Sequence, residues 1–259
     1  MMKKQALFLL LVAVLTVLSC IKKEDDADNQ AKLNVNFKAD YSSDPLLMFD
    51  RVYDYEDAMQ LKFQLFQFYI SNLRLIRVID AGQTEEIPVL NVDLISFADV
   101  YTDAEAAAGI SSDPISIPPG TYSGLKMGIG LTPELNATQP KDYKSGHPLS
   151  ENYWDDANSY IYFKVEGLTD LDGDGELANK LTFHVGSEAN YREMTFSKPF
   201  TVAEQEEVTL SFLIDMYQLL VDEETGSFLN FREVQASHSN TSPSAAFLAD
   251  RFPKAIVLQ

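Results

Sequence analysis

The sequence has one cysteine, one tryptophan and three histidines among its 259 residues. A single cysteine excludes an intramolecular disulfide, so the fold has to be stabilised by packing, or by packing and a bound metal. Basic residues are also scarce, 20 against 39 acidic ones, which leaves a formal net charge of −19. A chain this acidic repels phosphate backbones and anionic lipids, so we expect no nucleic-acid partner.

Sequence signatures of the common enzyme classes are missing as well. The chain contains no G-x-S-x-G elbow, no H-E-x-x-H pair and no P-loop. Carboxylates are abundant, but none stands in a pattern that singles out a catalytic pair. We therefore expect a binding protein without catalytic activity.

The N-terminal segment, residues 1–19, is typical of a secretory signal, because two lysines precede an apolar run of about 13 residues. Val17-Leu18-Ser19-Cys20 resembles a lipobox, which implies cleavage before Cys20 and lipidation of its thiol. An ordinary signal peptide or an uncleaved anchor is the alternative. We expect residues 20–31 to be a flexible acidic tether.

The lysines and acids at residues 22–26 follow the lipobox directly. They look like the export signal of Bacteroidetes surface lipoproteins, which implies an outer-membrane lipoprotein exposed at the cell surface. Without that export the protein would be periplasmic.

Residues 32–259 predict a single all-β domain, an antiparallel β-sandwich with short helices in loops and near the C-terminus. Apolar and polar residues alternate at 32–38 and 123–131, as in half-buried strands. The hydrophobic face switches within 61–79, which predicts two strands or one bent strand. About nine or ten short strands are expected, with no βαβ rhythm.

Two helix signals stand out from the strand pattern. Thr102-Asp103-Ala104-Glu105 is a capping box that opens a short helix ending at Gly109. Ser242 and Pro243 predict a second helix over residues 243–251, which Pro253 is expected to end.

The histidines are candidate metal ligands, because imidazole is the commonest metal ligand in proteins. His184 faces away from Leu181, Phe183 and Val185 in a predicted strand. His147 precedes a proline in a loop, and His238 lies in a loop rich in Ser and Asn. Taken alone, a strand histidine such as His184 is more often a hydrogen-bonded structural residue, and plain solvent exposure is the alternative for His238.

An acidic glycine loop, Asp170-Leu171-Asp172-Gly173-Asp174-Gly175-Glu176, has the D-x-D-x-D-G spacing of a calcium loop. Position twelve is Leu181 instead of a glutamate, and a strand follows instead of a helix. An ordinary hairpin turn is therefore the alternative. The expected calcium site is weak, with ligands Asp170, Asp172, Asp174 and Glu176.

Several segments resemble one family when they are taken in order. They are Phe68-Tyr69-Ile70-Ser71-Asn72-Leu73-Arg74-Leu75, Ile117-Pro118-Pro119-Gly120-Thr121-Tyr122-Ser123-Gly124, His147-Pro148-Leu149, Tyr153-Trp154 with Tyr160-Ile161-Tyr162-Phe163-Lys164-Val165-Glu166-Gly167, and Phe183-His184-Val185-Gly186. The tail around His238 and residues 246–252 extends the match. Together they resemble the MbnP-like copper-binding domain family over about residues 32–250.

The resemblance implies a lipid-anchored β-sandwich that binds copper. It implies His184 as a ligand and Trp154 as a residue oxidised to kynurenine by a di-haem peroxidase-like partner enzyme. His147 and His238 match positions frequent in Bacteroidetes members, and Met127 is a further candidate ligand. Relatives often carry Trp or His where this chain has Asp156.

A second function remains open at this point. A surface β-sandwich that binds a glycan, a peptide or a partner protein would have the same composition, and its histidines would be structural. Copper binding separates the two functions, because only the first requires the histidines to act as ligands.

Overall fold

The computed structural model describes residues 29–238 and 241–259. The predicted signal peptide, the lipidation site Cys20 and most of the tether lie outside these ranges. Ala31, assigned to the tether, instead begins the first strand and is buried. None of the helices in the described ranges has the length and apolar character needed to cross a bilayer.

The described residues form eighteen strands: β1 Ala31–Tyr41, β2 Asp44–Pro45, β3 Tyr53–Asp54, β4 Gln60–Asp80, β5 Gln83–Ser96, β6 Ile110–Ser111, β7 Ile115–Ile117, β8 Gly120–Ile129, β9 Tyr153–Trp154, β10 Ser159–Asp170, β11 Asn179–Gly186, β12 Arg192–Phe196, β13 Phe200–Val202, β14 Glu207–Asp215, β15 Val221–Asp222, β16 Ser227–Phe228, β17 Ala236–Ser237 and β18 Ile256–Leu258. The same ranges hold four α-helices: α1 Asp103–Ala108, α2 Pro133–Asn136, α3 Met216–Leu220 and α4 Pro243–Ala255. The all-β class is confirmed. The expected strand count is too low, because two- and three-residue strands leave no periodicity in the sequence.

Two sheets pack face to face. The smaller has the order β18-β14-β1-β2, and the larger has the order β12-β8-β4-β10-β11-β17. Between them Phe37 of β1 meets Phe68 of β4 edge to face, with ring centroids 5.6 Å apart. Phe212 of β14 meets Phe196 of β12 at 5.0 Å. The sandwich is confirmed, but it is mixed instead of antiparallel, because β1 with β14 and β11 with β17 pair in parallel.

Strand β4 is the long central strand of the larger sheet, and it is a single bent strand. It pairs with β10 near its start, with β8 near its end, and with β5 along its other edge. Register shifts interrupt these pairings, and Asn72 adopts a left-handed φ of 52°. Each shift moves the following residues to the other face, which is why the buried residues switch phase along the strand.

Helix α4 covers one end of the core. Its Phe252 ring lies 5.2 Å from Phe68 and 5.3 Å from Phe163, both at steep angles. Ser242 caps the helix as predicted, accepting a hydrogen bond from the Ala245 N–H. The predicted stop at Pro253 is wrong: the helix runs on to Ala255. A proline in the last turn removes only one backbone donor, and the buried Phe252 secures that turn.

Candidate metal centre

His184 lies on β11, at an edge of the larger sheet that is completed by β17. Leu181, Phe183 and Val185 point into the core and are buried, so His184 points to the outer face, as the alternation predicts. Its Cα partner on β10 is Lys164, and the next outward residue of β10 is Glu166. Diagonal neighbours across an antiparallel pair are within reach of long side chains, so Glu166 reaches the imidazole.

The short strand β17 places His238 beside His184. This strand pairs in parallel with β11, with Ala236 opposite Thr182 and Ser237 opposite Phe183. Continuing that register by one residue places His238 alongside His184. Ser237 is buried and holds the segment in place, whereas His238 is exposed at its end.

Trp154 is brought to the same place by β9, which pairs with the start of β10. The turn before it is held by Asn152, which adopts a left-handed φ of 59°. The Asn152 carbonyl accepts the Ile161 N–H at 2.7 Å, and its side-chain oxygen accepts a hydrogen bond from Lys164 Nζ at 2.6 Å. These bonds fasten the Trp154 segment to the outer face of the sheet.

The three rings form one cluster, which we call the His–Trp cluster: His184, His238 and Trp154. The His184 and His238 rings are nearly perpendicular, and their centroids lie 5.1 Å apart. The Trp154 and His238 centroids lie 6.3 Å apart, again edge to face. The cluster lines an open cavity of about 280 Å³ together with Tyr153 and Ile161. Residues 154, 184 and 238 are far apart in the sequence, and the sheet pairings alone bring them together.

The electrostatic setting keeps His184 neutral. Burial lowers the pKa of its imidazole, and the hydrogen bond to Glu166 only partly offsets that effect. Glu166 Oε1 lies 2.7 Å from His184 Nε2. A neutral imidazole with one nitrogen engaged has a free lone pair on the other, which is the form that binds metals.

His147, the third histidine, lies elsewhere. It stacks on Tyr143 with ring centroids 4.2 Å apart, and its Nδ1 accepts the Leu149 N–H at 3.0 Å. It therefore caps the short helical turn at Pro148–Ser150. It lines a different cavity of about 290 Å³, beside Asp93 of β5. The structure does not bring His147 to the His–Trp cluster. Its contacts with Tyr143 and Leu149 are structural.

Met127 also lies away from the cluster. It is fully buried on β8, where it pairs with Met194 of β12. Strand β8 pairs with residues 70–77 of β4, whereas β10, the neighbour of β11, pairs with residues 60–68, and the roughly five residues of β4 between the levels of Met127 and His184 amount to about 15 Å. A thioether at that distance inside the core cannot reach His184, so the structure does not support Met127 as a ligand.

The acidic loop joins β10 to β11, at the far end of the hairpin from His184. Asp170 lies six positions after Lys164 on β10, which amounts to about 20 Å. Asp170, Asp172 and Asp174 each place one carboxylate oxygen within 4.8 Å of the others, and Glu176 is exposed. Asp170 is buried and accepts hydrogen bonds from the Asp172, Gly173 and Gly175 N–H groups. Calcium at this loop stays a prediction, because these bonds account for the loop as a turn as well.

Glu166 is the residue of the centre that the sequence did not single out. Its outward direction follows from the alternation in β10, but its diagonal position relative to His184 depends on the β10–β11 register. Asp156 offers no ring two residues after Trp154; the ring next to Trp154 is that of His238, which comes from a distant segment.

Comparison with known proteins agrees with this architecture. The model of the MbnP family matches residues 30–240. The solved structure of MbnP from Methylosinus trichosporium superposes with a TM-score of 0.50 at 13% sequence identity, covering 85% of this chain and 87% of that chain. No curated protein matches the sequence. At this identity the structural likeness supports the fold alone, but the family match spans most of the chain, and the protein belongs to the MbnP family.

Proposed function

We propose that this protein binds copper at the His–Trp cluster and acts as a binding protein, not as an enzyme. The observation that carries the proposal is the pair of imidazoles, His184 and His238, with centroids 5.1 Å apart at an open cavity. Two imidazoles converging on accessible space form a donor set that suits copper.

The rest of the centre supports a metal with few protein ligands. Within the described ranges, neither histidine belongs to a set of three His, Cys, Asp or Glu side chains converging on one point. Zinc in structural sites takes four protein ligands, and calcium takes six to eight oxygens. A two-histidine site beside an aromatic ring therefore favours Cu(I), which accepts low coordination numbers.

The proposal is tested by competition against a Cu(I) chelator. The wild-type protein is expected to take Cu(I) from the chelator, and His184→Ala and His238→Ala are each expected to lose most of that affinity. The matched control is His147→Asn, because asparagine keeps a side-chain acceptor for the Leu149 N–H while removing an imidazole outside the cluster. It should bind copper as the wild type does.

The alternative function predicts the reverse. If the chain is a surface module for a glycan, peptide or partner protein, the histidines are structural. His184→Ala would then bind Cu(I) as well as the wild type, and that result would reject the copper proposal.

Trp154 is the proposed site of modification within the centre. It is partly exposed and lies beside His238. On the family resemblance, a di-haem peroxidase-like partner oxidises it to kynurenine. Intact-mass measurement of protein from its native host tests this: the modified mass is expected for the wild type and should be absent from Trp154→Phe.

The location at the outer membrane is also a proposal. It rests on Cys20 and the acidic segment that follows, all outside the described residues. Metabolic labelling with a fatty acid should mark the wild type, whereas Cys20→Ala should remain unlabelled. Protease treatment of intact cells then distinguishes surface exposure from a periplasmic orientation.

A further inference from the structure

Glu166 contacts His184 at a ring nitrogen and not through packing alone. Its Oε1 lies 2.7 Å from His184 Nε2, within the range of a strong hydrogen bond. Both side chains are largely shielded, with 18% of His184 and 33% of Glu166 exposed. Lys164 stands opposite His184 in the strand pairing and interacts electrostatically with Glu166, so the carboxylate interacts with both a cation and an imidazole.

This contact determines which nitrogen of His184 is available. A carboxylate can only accept hydrogen bonds, so the proton of the neutral imidazole has to reside on Nε2. The remaining lone pair is then on Nδ1. Metal-binding histidines commonly donate their second N–H to a carboxylate, which fixes the ring orientation and raises the basicity of the ligand nitrogen.

We infer that Glu166 is a positioning residue of the copper centre: it holds His184 by Nε2 so that the ring ligates the metal through Nδ1. The inference rests on the proposed copper function and assigns a role that neither the family match nor the sequence motifs contain. Glu166 does not itself touch the metal in this arrangement.

A second arrangement is chemically distinct. Copper could bind Nε2, in which case Glu166 would have to leave the nitrogen or become a ligand itself. The two arrangements differ in the place of the imidazole proton: Cu(I) binding leaves it on Nε2 in the first and requires it to move to Nδ1 in the second.

NMR of ¹⁵N-labelled full-length mature protein reads that proton directly, because Cu(I) is diamagnetic. In the metal-free wild type we expect a His184 Nε2–H protected from solvent exchange, and in Glu166→Ala we expect that protection to be lost. On addition of Cu(I), the Nδ1 resonance should shift while the Nε2–H remains. Loss of the Nε2 proton on Cu(I) binding would overturn the inference.

Affinity measurements add an independent readout. Glu166→Ala should bind Cu(I) about 10–100-fold more weakly than the wild type, as for other residues that orient metal ligands. Glu166→Gln keeps an acceptor oxygen and should stay within a few-fold of the wild type. Glu151→Ala is the charge control, since Glu151 is exposed and also acts electrostatically on Lys164. Equal affinities for Glu166→Ala and Glu151→Ala would contradict the positioning role.

Different results would reject the copper-binding proposal and the positioning role of Glu166. If the wild type binds no Cu(I), the proposed function fails, yet the metal-free spectrum still tests the inference. A proton on Nδ1 of His184 in that spectrum would overturn it. If the wild type binds Cu(I) and Glu166→Ala binds equally well, only the inference fails.

Discussion

Asp40 and Asp215 place two carboxyl groups side by side on the parallel strands β1 and β14. The carboxylate of Asp215 has hydrogen-bond donors: its Oδ1 accepts the Tyr217 N–H at 2.9 Å and the Ser42 N–H at 3.2 Å. Asp40 Oδ1, in contrast, is buried and has no hydrogen-bond partner among the described residues. Burial, and secondly the charge of Asp215, raise the pKa of Asp40 from 3.8 to about 6.

A carboxyl group with a raised pKa destabilises the folded protein at neutral pH. Between pH 4 and 6 the folded state binds more protons than the unfolded chain, so the free energy of unfolding falls as the pH rises through that window. A pKa of about 6 against 3.8 corresponds to about 3 kcal/mol above pH 6. Because Asp40 is only partly buried, solvent screening reduces this to about 1–2 kcal/mol.

Asp40→Asn removes the charge while keeping the shape, so it should stabilise the protein at pH 7–8 by about 1–2 kcal/mol and raise the Tm by a few degrees. Thermal and urea unfolding from pH 4 to pH 8 measure the effect. The gap between variant and wild type should close at pH 4, where Asp40 is protonated. Asp50→Asn, an exposed aspartate, controls for the loss of one negative charge. A constant gap from pH 4 to pH 8, or an equal gain in Asp50→Asn, would refute the reasoning.

Two further predictions concern glycines and calcium. Gly130→Ala should cost about 2–4 kcal/mol, because a Cβ there would lie 2.4 Å from the Tyr162 ring at a φ of +91°. Gly146→Ala, with a similar φ and no atom within 4 Å, should lose only the strain, and equal losses in urea unfolding would show that the Tyr162 contact is unimportant. Calcium at the acidic loop predicts a rise in Tm with added Ca²⁺ that Asp172→Ala and Asp174→Ala abolish; an unchanged wild-type Tm rejects that site.

Local sequence patterns predicted the elements whose stability is local. The capping box at Thr102 opens α1, and both of its reciprocal hydrogen bonds form. The alternation in residues 32–38 predicted the buried face of β1. The helix end predicted from Pro253 was wrong, because the penalty of a proline depends on its position in the helix. The tertiary packing of Phe252 determines where α4 ends.

Local sequence patterns did not predict which strands pair. Alternation indicates which residues of a strand share a face, but it carries no information on the neighbour or the register. The parallel pairs β1 with β14 and β11 with β17 join segments that are distant in the sequence. Strands of two residues, such as β9 and β17, exist only because a longer strand offers them free hydrogen-bonding groups.

The sequence by itself determined the all-β class, the outward direction of His184 and the family of the chain, because periodicity and ordered motifs are properties of the chain alone. Only the tertiary structure decided that His238 and Trp154 join His184, and that His147 and Met127 do not. The physical reason is the register of β9, β10, β11 and β17: hydrogen bonds between strands set which side chains become neighbours, and those bonds form only once the sheet is assembled.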